Sequence, residues 1–164
     1  MKGAEQYPVA DFTNKASKWN ATLPFTRNVI GPMDYTPTTF SDRGMGLSTV
    51  PATALKDTSN ALRLTTNAHE LALAVGFESG VQHLADRPLS YKSQPASVIQ
   101  YLKDLPVTWD DIYFINGYPG KAFVAARRKG NEYWIAGING PNAEKLALDF
   151  SFLPAGEYQL ELLA

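Results

Sequence analysis

Cysteine is absent from the 164 residues, and histidine occurs only twice. The first absence excludes disulfides, thiolate metal sites and cysteine nucleophiles, while leaving the redox compartment open. His69 and His83 are not four residues apart, and His69-Glu70 runs on into Leu71-Ala72-Leu73, so no H-E-x-x-H zinc motif forms. Charge is sparse as well. Fifteen basic against sixteen acidic residues give a formal net charge of -1 with no basic block, which argues against an electrostatic grip on nucleic acid or on an anionic membrane. Apolar stretches are broken by Glu, Gly or His well short of the ~20 residues a helix needs to cross a bilayer, so no membrane span is expected.

What the chain does have is apolar mass. Hydrophobic residues make up 45% of it, enough to bury a core, and one or two compact units are expected. The stretch from Thr22 to Pro37, TLPFTRNVIGPMDYTP, is the most organised. Residues 23–25 and 29–30 can bury, whereas Arg27, Asn28, Asp34 and Tyr35 must find polar partners, and Gly31-Pro32 turns the backbone. Polar residues at the end of a buried strand, followed by a rigid loop, are a common way for α/β enzymes to present chemistry. The plainer alternative is a Pro-rich loop whose Arg and Asp hold each other in place. Residues 1–20 read as loop, and residues 38–60 as a long exposed excursion. The sequon Asn20-Ala21-Thr22 is discounted because the segment after it has the pattern of a buried one.

The clearest helix runs from Asn67 to Asp86. Asn67 is placed as its cap, with Glu70 completing a capping box, and Asp86-Arg87-Pro88 as its stop. Leu71 and Val75 on one face, with Leu73, Phe77, Val81 and Leu84 on another, predict a helix packed on two sides. Gly76 and Gly80 offer a surface for close approach. Glu78 among apolar residues reads as a structural carboxylate paired with Arg, His or backbone, or else as a ligand or acid. A short helix is expected from about Pro95 to Asp104. The period then changes to two: strands are expected at 107–109, 112–115, 122–128, 132–139, 145–152 and 157–163, separated by turn residues, as in a meander or sandwich. Tyr133 and Trp134 fit a carbohydrate platform, although strand aromatics in a small sheet are more commonly core.

Several of these blocks, taken in order, resemble the C-terminal portion of glycoside hydrolase family 97: LPFTRNVIGPMDYTP from Leu23, TTNAHELALAVGFESGVQHLAD from Thr65, then YLKDLPVTWDD, GYPGK, and WIAGINGP from Trp134. The resemblance implies an exo-acting, calcium-dependent enzyme that hydrolyses α-glucosides or α-galactosides. It also implies an N-terminal β-sandwich, a central (β/α)8 barrel and a C-terminal antiparallel β domain. The implied fold class here is α/β plus all-β: residues 1–92 as the terminal portion of the barrel, and residues 93–164 as a small antiparallel sheet or sandwich domain. Helix 67–86 would be the final barrel helix, clamped between barrel and β domain.

In the family a glutamate follows an R/K-G-x-E pattern, and Lys2-Gly3-Ala4-Glu5 matches it. Glu5 is thereby implied as a catalytic carboxylate bound to calcium, a hard cation that takes oxygen ligands, and Arg27, Asn28 and Asp34 as the floor of the substrate pocket. One departure stands out. Family members often carry a general-acid glutamate shortly before the LPFTR block, but Lys15 to Asn20 holds no carboxylate, and Asp11 is the nearest upstream. The nucleophile lies earlier in the family's barrel, so this chain alone is not expected to complete the reaction. Both ends read as interior sequence, and a fragment is expected, with no signal peptide at its start. The partners implied are an oligosaccharide substrate and a second copy through the C-terminal β domain, and the location implied is periplasmic or extracellular. The reading from a different class is a non-catalytic carbohydrate-binding or assembly β module carrying a barrel remnant.

Overall fold

The computed structural model describes residues 15–35, 40, 63–84, 86 and 88–163; Glu5, Asp11, Pro37 and most of the 38–60 excursion lie outside them. A three-stranded antiparallel meander is the frame: β1 (Asp111–Tyr118), β2 (Ala122–Lys129) and β3 (Glu132–Asn139), in that spatial order. The predicted strand 132–139 is matched residue for residue, and 122–128 gains one residue. Two expected strands at 107–109 and 112–115 are replaced by the single β1. Its register with β2 slips by one residue between Phe114 and Asn116, a bulge that absorbs Ile115. Glycines make the turns possible: Gly120 and Gly130 sit at φ 75° and 59°, where a side chain would be strained.

Pairing fixes which side chains share a face. Phe123, Ala125 and Arg127 of β2 lie opposite Ile138, Ala136 and Trp134 of β3, and this face packs against helix α3 (Asn67–Gly76). Between them, Leu73 and Phe77 share one buried cluster with Phe123, Ala125 and Ile138. The other face carries Tyr113 and Tyr133, and the chain after β3 folds over it, with Phe152 stacked on Tyr113 at 5.1 Å between ring centroids. Helix α5 (Ala96–Asp104) closes one end, its Tyr101 ring 5.2 Å from Trp134 and its hydroxyl donating to the Leu71 carbonyl at 3.3 Å. Burial there pushes the Tyr101 phenol well above its usual range. Between α3 and α5 lies the short α4 (Pro88–Lys92).

Other expectations are corrected. Helix α3 is capped by Thr66, whose hydroxyl accepts from the His69 N–H at 3.1 Å, rather than by Asn67, because Thr66 is the last residue with extended backbone. It ends at Gly76, ten residues short of Asp86, where Phe77 turns extended; Val81 and Leu84 are therefore exposed loop residues. Of the two glycines, only Gly76 serves close approach: a Cβ there would lie 2.5 Å from Ile138 Cδ1, while Gly80 faces open space. Residues 22–30 are not a strand end. They form a 3-10 turn (Leu23–Phe25) and α2 (Arg27–Ile30), and just before them residues expected as loop form α1 (Ala16–Asn20); back-bonds from Thr22 Oγ1 to the Lys18 carbonyl at 2.7 Å and from Thr26 Oγ1 to the Thr22 carbonyl at 3.2 Å hold the run together. Val29 and Ile30 consequently stand 73% and 84% exposed. Lastly, 145–152 and 157–163, expected as strands, are irregular. Alternation sets which side chains turn inward, but a strand also needs a partner for its N–H and C=O groups, and among the described residues neither segment pairs with one.

The β2–β3 turn carries a pH-dependent tether. Asp110 Oδ2 accepts the Gly130 N–H at 2.8 Å, and Lys129 and Arg128 stand 3.4 and 3.8 Å from its oxygens. The backbone bond first, then Lys129 and Arg128, hold this carboxyl below its usual value. A depressed carboxylate contributes stability above its unfolded pKa and loses it as pH falls through the folded one. Faster exchange of the Gly130 amide below about pH 4 is expected, relative to the rate set by pH alone; exchange that tracks pH alone would contradict the tether.

Candidate functional site

The loop from Arg27 to Tyr35 is built on one backbone carbonyl. Met33 donates its N–H to the Glu78 carbonyl at 2.9 Å, and Asn28 Nδ2 donates to the same oxygen at 3.3 Å and to the Gly31 carbonyl at 3.4 Å. Arg27 Nη1 also donates to Gly31, at 3.3 Å. Two of the three expected pocket residues, Arg27 and Asn28, thus meet at Gly31. Asp34 does not join them: Met33 and Tyr35 on either side are buried, and Asp34 is exposed. Among the described residues no ion pair links Arg27 to Asp34, so the loop is not held by an Arg–Asp pair. The Asn28 Oδ1 in the same turn is buried and receives no hydrogen bond from a donor among the described residues.

Behind the loop lies a chain of buried polar groups. Tyr35 OH donates to Asn20 Oδ1 at 3.5 Å, and Asn20 Nδ2 lies 3.0 Å from His69 Nε2. Glu70, fully buried beside His69 in α3, accepts from Thr65 Oγ1 at 2.5 Å. Burial, then the charges of Asp86 and Glu70, push the Tyr91 phenol well above its usual range. Sequence reasoning did not single out Asn20 as a core group, although its complete burial agrees with discounting the sequon.

Arg127 is the other residue the sequence reading missed. It is 3% exposed and reaches the last turn of α3: Nε donates to the Val75 carbonyl at 2.7 Å, Nη2 to Gly76 at 3.5 Å, and Nη1 stands 3.7 Å from Glu78 Oε2. Burial lowers this guanidinium's pKa from its ordinary value, and Glu78 pulls it back up. A signal existed. Arg127 shares the parity of Phe123 and Ala125, which places it on the covered face. Glu78 is accordingly a paired structural carboxylate, as its surroundings suggested.

Among the described residues, no group of three or more His, Asp or Glu side chains could hold a metal ion, and Glu5 lies outside them. The expected calcium therefore has no cradle in the part of the chain that is described. Tyr133 and Trp134 are not a platform on an open face: Tyr133 packs among Tyr113, Phe152 and Tyr158, and Trp134 between Tyr101 and Trp109.

Against known proteins, residues 108–164 match the family profile described as glycosyl-hydrolase 97 C-terminal, oligomerisation. Upstream of that match, the likeness continues: the chain is 32% identical over 162 residues, 99% of its length, to a retaining alpha-galactosidase of Bacteroides thetaiotaomicron. This chain belongs to glycoside hydrolase family 97. A second family relative, a probable retaining alpha-galactosidase of Streptomyces bingchenggensis, is 40% identical over 71% of the chain. Among solved structures, a family 97 enzyme of a Pseudoalteromonas species in complex with panose superposes on 85% of the chain with TM-score 0.70 and 30% identity. A beta-arabinopyranosidase superposes on 80% with TM-score 0.68 and 30% identity. The chain spans 23% and 16% of the two curated relatives, and about a fifth of the solved chains. The sheet and the helices on it are thus the part of the family 97 architecture that this sequence carries.

Proposed function

We propose that this chain is part of a retaining α-galactosidase. The observation that carries the reading is the 32% identity to the Bacteroides retaining alpha-galactosidase, which runs through nearly every residue, so it includes the loop at Arg27–Tyr35 as well as the β domain. A retaining glycosidase uses two carboxyl groups about 5–5.5 Å apart, one as nucleophile and one as acid and then base. The nucleophile is proposed to lie in the part of such an enzyme that this chain does not span, and the stretch from Lys15 to Asn20 offers no carboxylate for the acid. Residues 1–92 are proposed as the last portion of the barrel, with α3 its final helix, and residues 93–164 as the β domain beside it.

Within that frame, Glu5 is the proposed catalytic carboxylate and calcium ligand, and Arg27, Asn28 and Asp34 the proposed pocket floor. Asn28 and Arg27 order the turn at Gly31 and Asp34 presents its carboxylate outward, a placement suited to hydrogen bonds with sugar hydroxyls. Self-association through residues 108–164 is proposed alongside, supported by the oligomerisation role in the profile's description. A periplasmic or extracellular location is proposed from family likeness; among the described residues no helix is long and apolar enough to cross a membrane. A non-catalytic carbohydrate-binding module is the less supported reading, because the aromatics that would form its platform are packed against one another.

Hydrolysis of p-nitrophenyl α-galactoside and α-glucoside, by the 164-residue chain and by a version extended upstream in its reading frame, tests the proposal. The extended protein is expected to prefer the galactoside and to lose activity on calcium chelation, and the chain alone to be inactive. An extended protein that cleaves only the glucoside would overturn the sugar assignment, and one that cleaves neither would overturn the enzyme reading.

A further inference from the structure

The geometry points to Arg127 as a positioning residue, through which the β domain sets the loop that carries Arg27, Asn28 and Asp34; this rests on the proposal that the loop lines the sugar pocket. Helix α3 ends at Gly76, so the carbonyls of its last turn have lost their intrahelical partners. Arg127, from the middle of the sheet, supplies two of those bonds from one planar fork. The point at which the chain leaves the helix is thereby fixed by a residue of β2. Two residues on is Glu78, whose carboxylate faces Arg127 and whose carbonyl receives both Met33 N–H and Asn28 Nδ2. Glu78 is the junction: its side chain answers to the sheet and its backbone holds the loop.

Slack at this junction is small. Gly76 brings the helix so close to β3 that an added Cβ would lie 2.5 Å from Ile138 Cδ1, and Phe77 is locked edge-on against Tyr35 at 4.6 Å. A shift of the helix end cannot be taken up by sliding over the sheet, because packed interiors do not deform continuously. It passes instead to the Glu78 carbonyl and so to Met33 and Asn28. The half-exposed Glu78 carboxylate, 3.7 Å from the guanidinium, adds little energy by itself. The grip is the fork on the carbonyls, which a lysine ammonium cannot reproduce.

Amide exchange of the 164-residue chain and kinetics of the extended enzyme test this together. In Arg127→Lys, Met33 exchange is expected to rise at least about tenfold while the β2–β3 hairpin amides keep their protection, and kcat/KM for the α-galactoside to fall about tenfold, mainly through KM. Glu78→Gln keeps the carbonyl and is expected to move both readouts the same way, by about threefold; it also decides the matter if Arg127→Lys does not fold. Unchanged Met33 exchange in the variants that fold overturns the coupling. Faster Met33 exchange with unchanged kinetics overturns the positioning role while leaving the α-galactosidase reading intact. A wild-type extended enzyme with no hydrolysis overturns that reading, and the positioning role with it.

Discussion

Replacing Phe77 by alanine is expected to cost about 3–5 kcal/mol of stability, the range for emptying a buried aromatic site. Phe77 is 1% exposed and belongs to the cluster of Ala21, Met33, Tyr35, Leu73, Phe123, Ala125 and Ile138, which draws on all three parts of the fold. Its ring meets Tyr35 edge-on at 4.6 Å, an arrangement worth about 0.5–1.5 kcal/mol beyond area alone. The backbone around it is pinned by its N–H bond to the Leu73 carbonyl at 3.0 Å and by the Arg127 bonds to Val75 and Gly76, so collapse into the cavity is restricted. Against a total of roughly 5–15 kcal/mol, a loss of this size moves the urea midpoint far down or leaves the chain unfolded in water. A loss below about 1 kcal/mol would contradict the placement of this ring in the core.

Gly117→Ala is the second large effect, and it acts through the backbone. Gly117 lies beside the bulge in β1 with φ 134°, a region that side chains rarely adopt. A Cβ there would sit 2.4 Å from the Ala122 carbonyl oxygen and 2.9 Å from Phe123 Cα, both main-chain atoms of the neighbouring strand. Neither can move without opening the β1–β2 pairing. Strain of about 1–3 kcal/mol and overpacking of about 1–3 kcal/mol together give an expected loss of about 2–6 kcal/mol. Gly137→Ala in β3 is the control. Its Cβ would meet nothing within 4 Å, and its φ is not positive, so its effect is expected to stay within about 1 kcal/mol of zero. Equal losses at the two positions in chemical denaturation would contradict this account of the bulge.

The meander was legible because its signals are local. Short apolar runs at 122–128 and 132–139, bounded by the turn residues around Gly120 and Gly130, specify strand and turn without reference to the rest of the chain. Helix α5 was legible for the same reason: a proline at its start and one after its end bound a half-buried stripe of Val98, Ile99 and Leu102. The end of α3 was not, because what stops it is not in its own sequence. Its last carbonyls are taken by Arg127, about fifty residues later, and the apolar periodicity that continues through Val81 and Leu84 outlasts the helix itself. Residues 145–152 and 157–163 show the converse: they have a strand's pattern without a strand's pairing. In the site, the polar residues of the Thr22–Pro37 block drew attention by composition, but their common anchor is a backbone carbonyl, Glu78, which no side-chain pattern can announce. Asn20 was hidden for a similar reason. Its partners Tyr35 and His69 are distant in sequence, and burial rather than any motif brings them together.

The stereochemistry of the first product tests the central claim most directly. Proton NMR of p-nitrophenyl α-galactoside hydrolysis by the extended protein, followed from the first minutes, separates the anomers before they equilibrate. The account predicts α-galactose first, the outcome of two successive displacements at the anomeric carbon. Initial β-galactose would contradict the assignment of this family 97 chain to a retaining α-galactosidase.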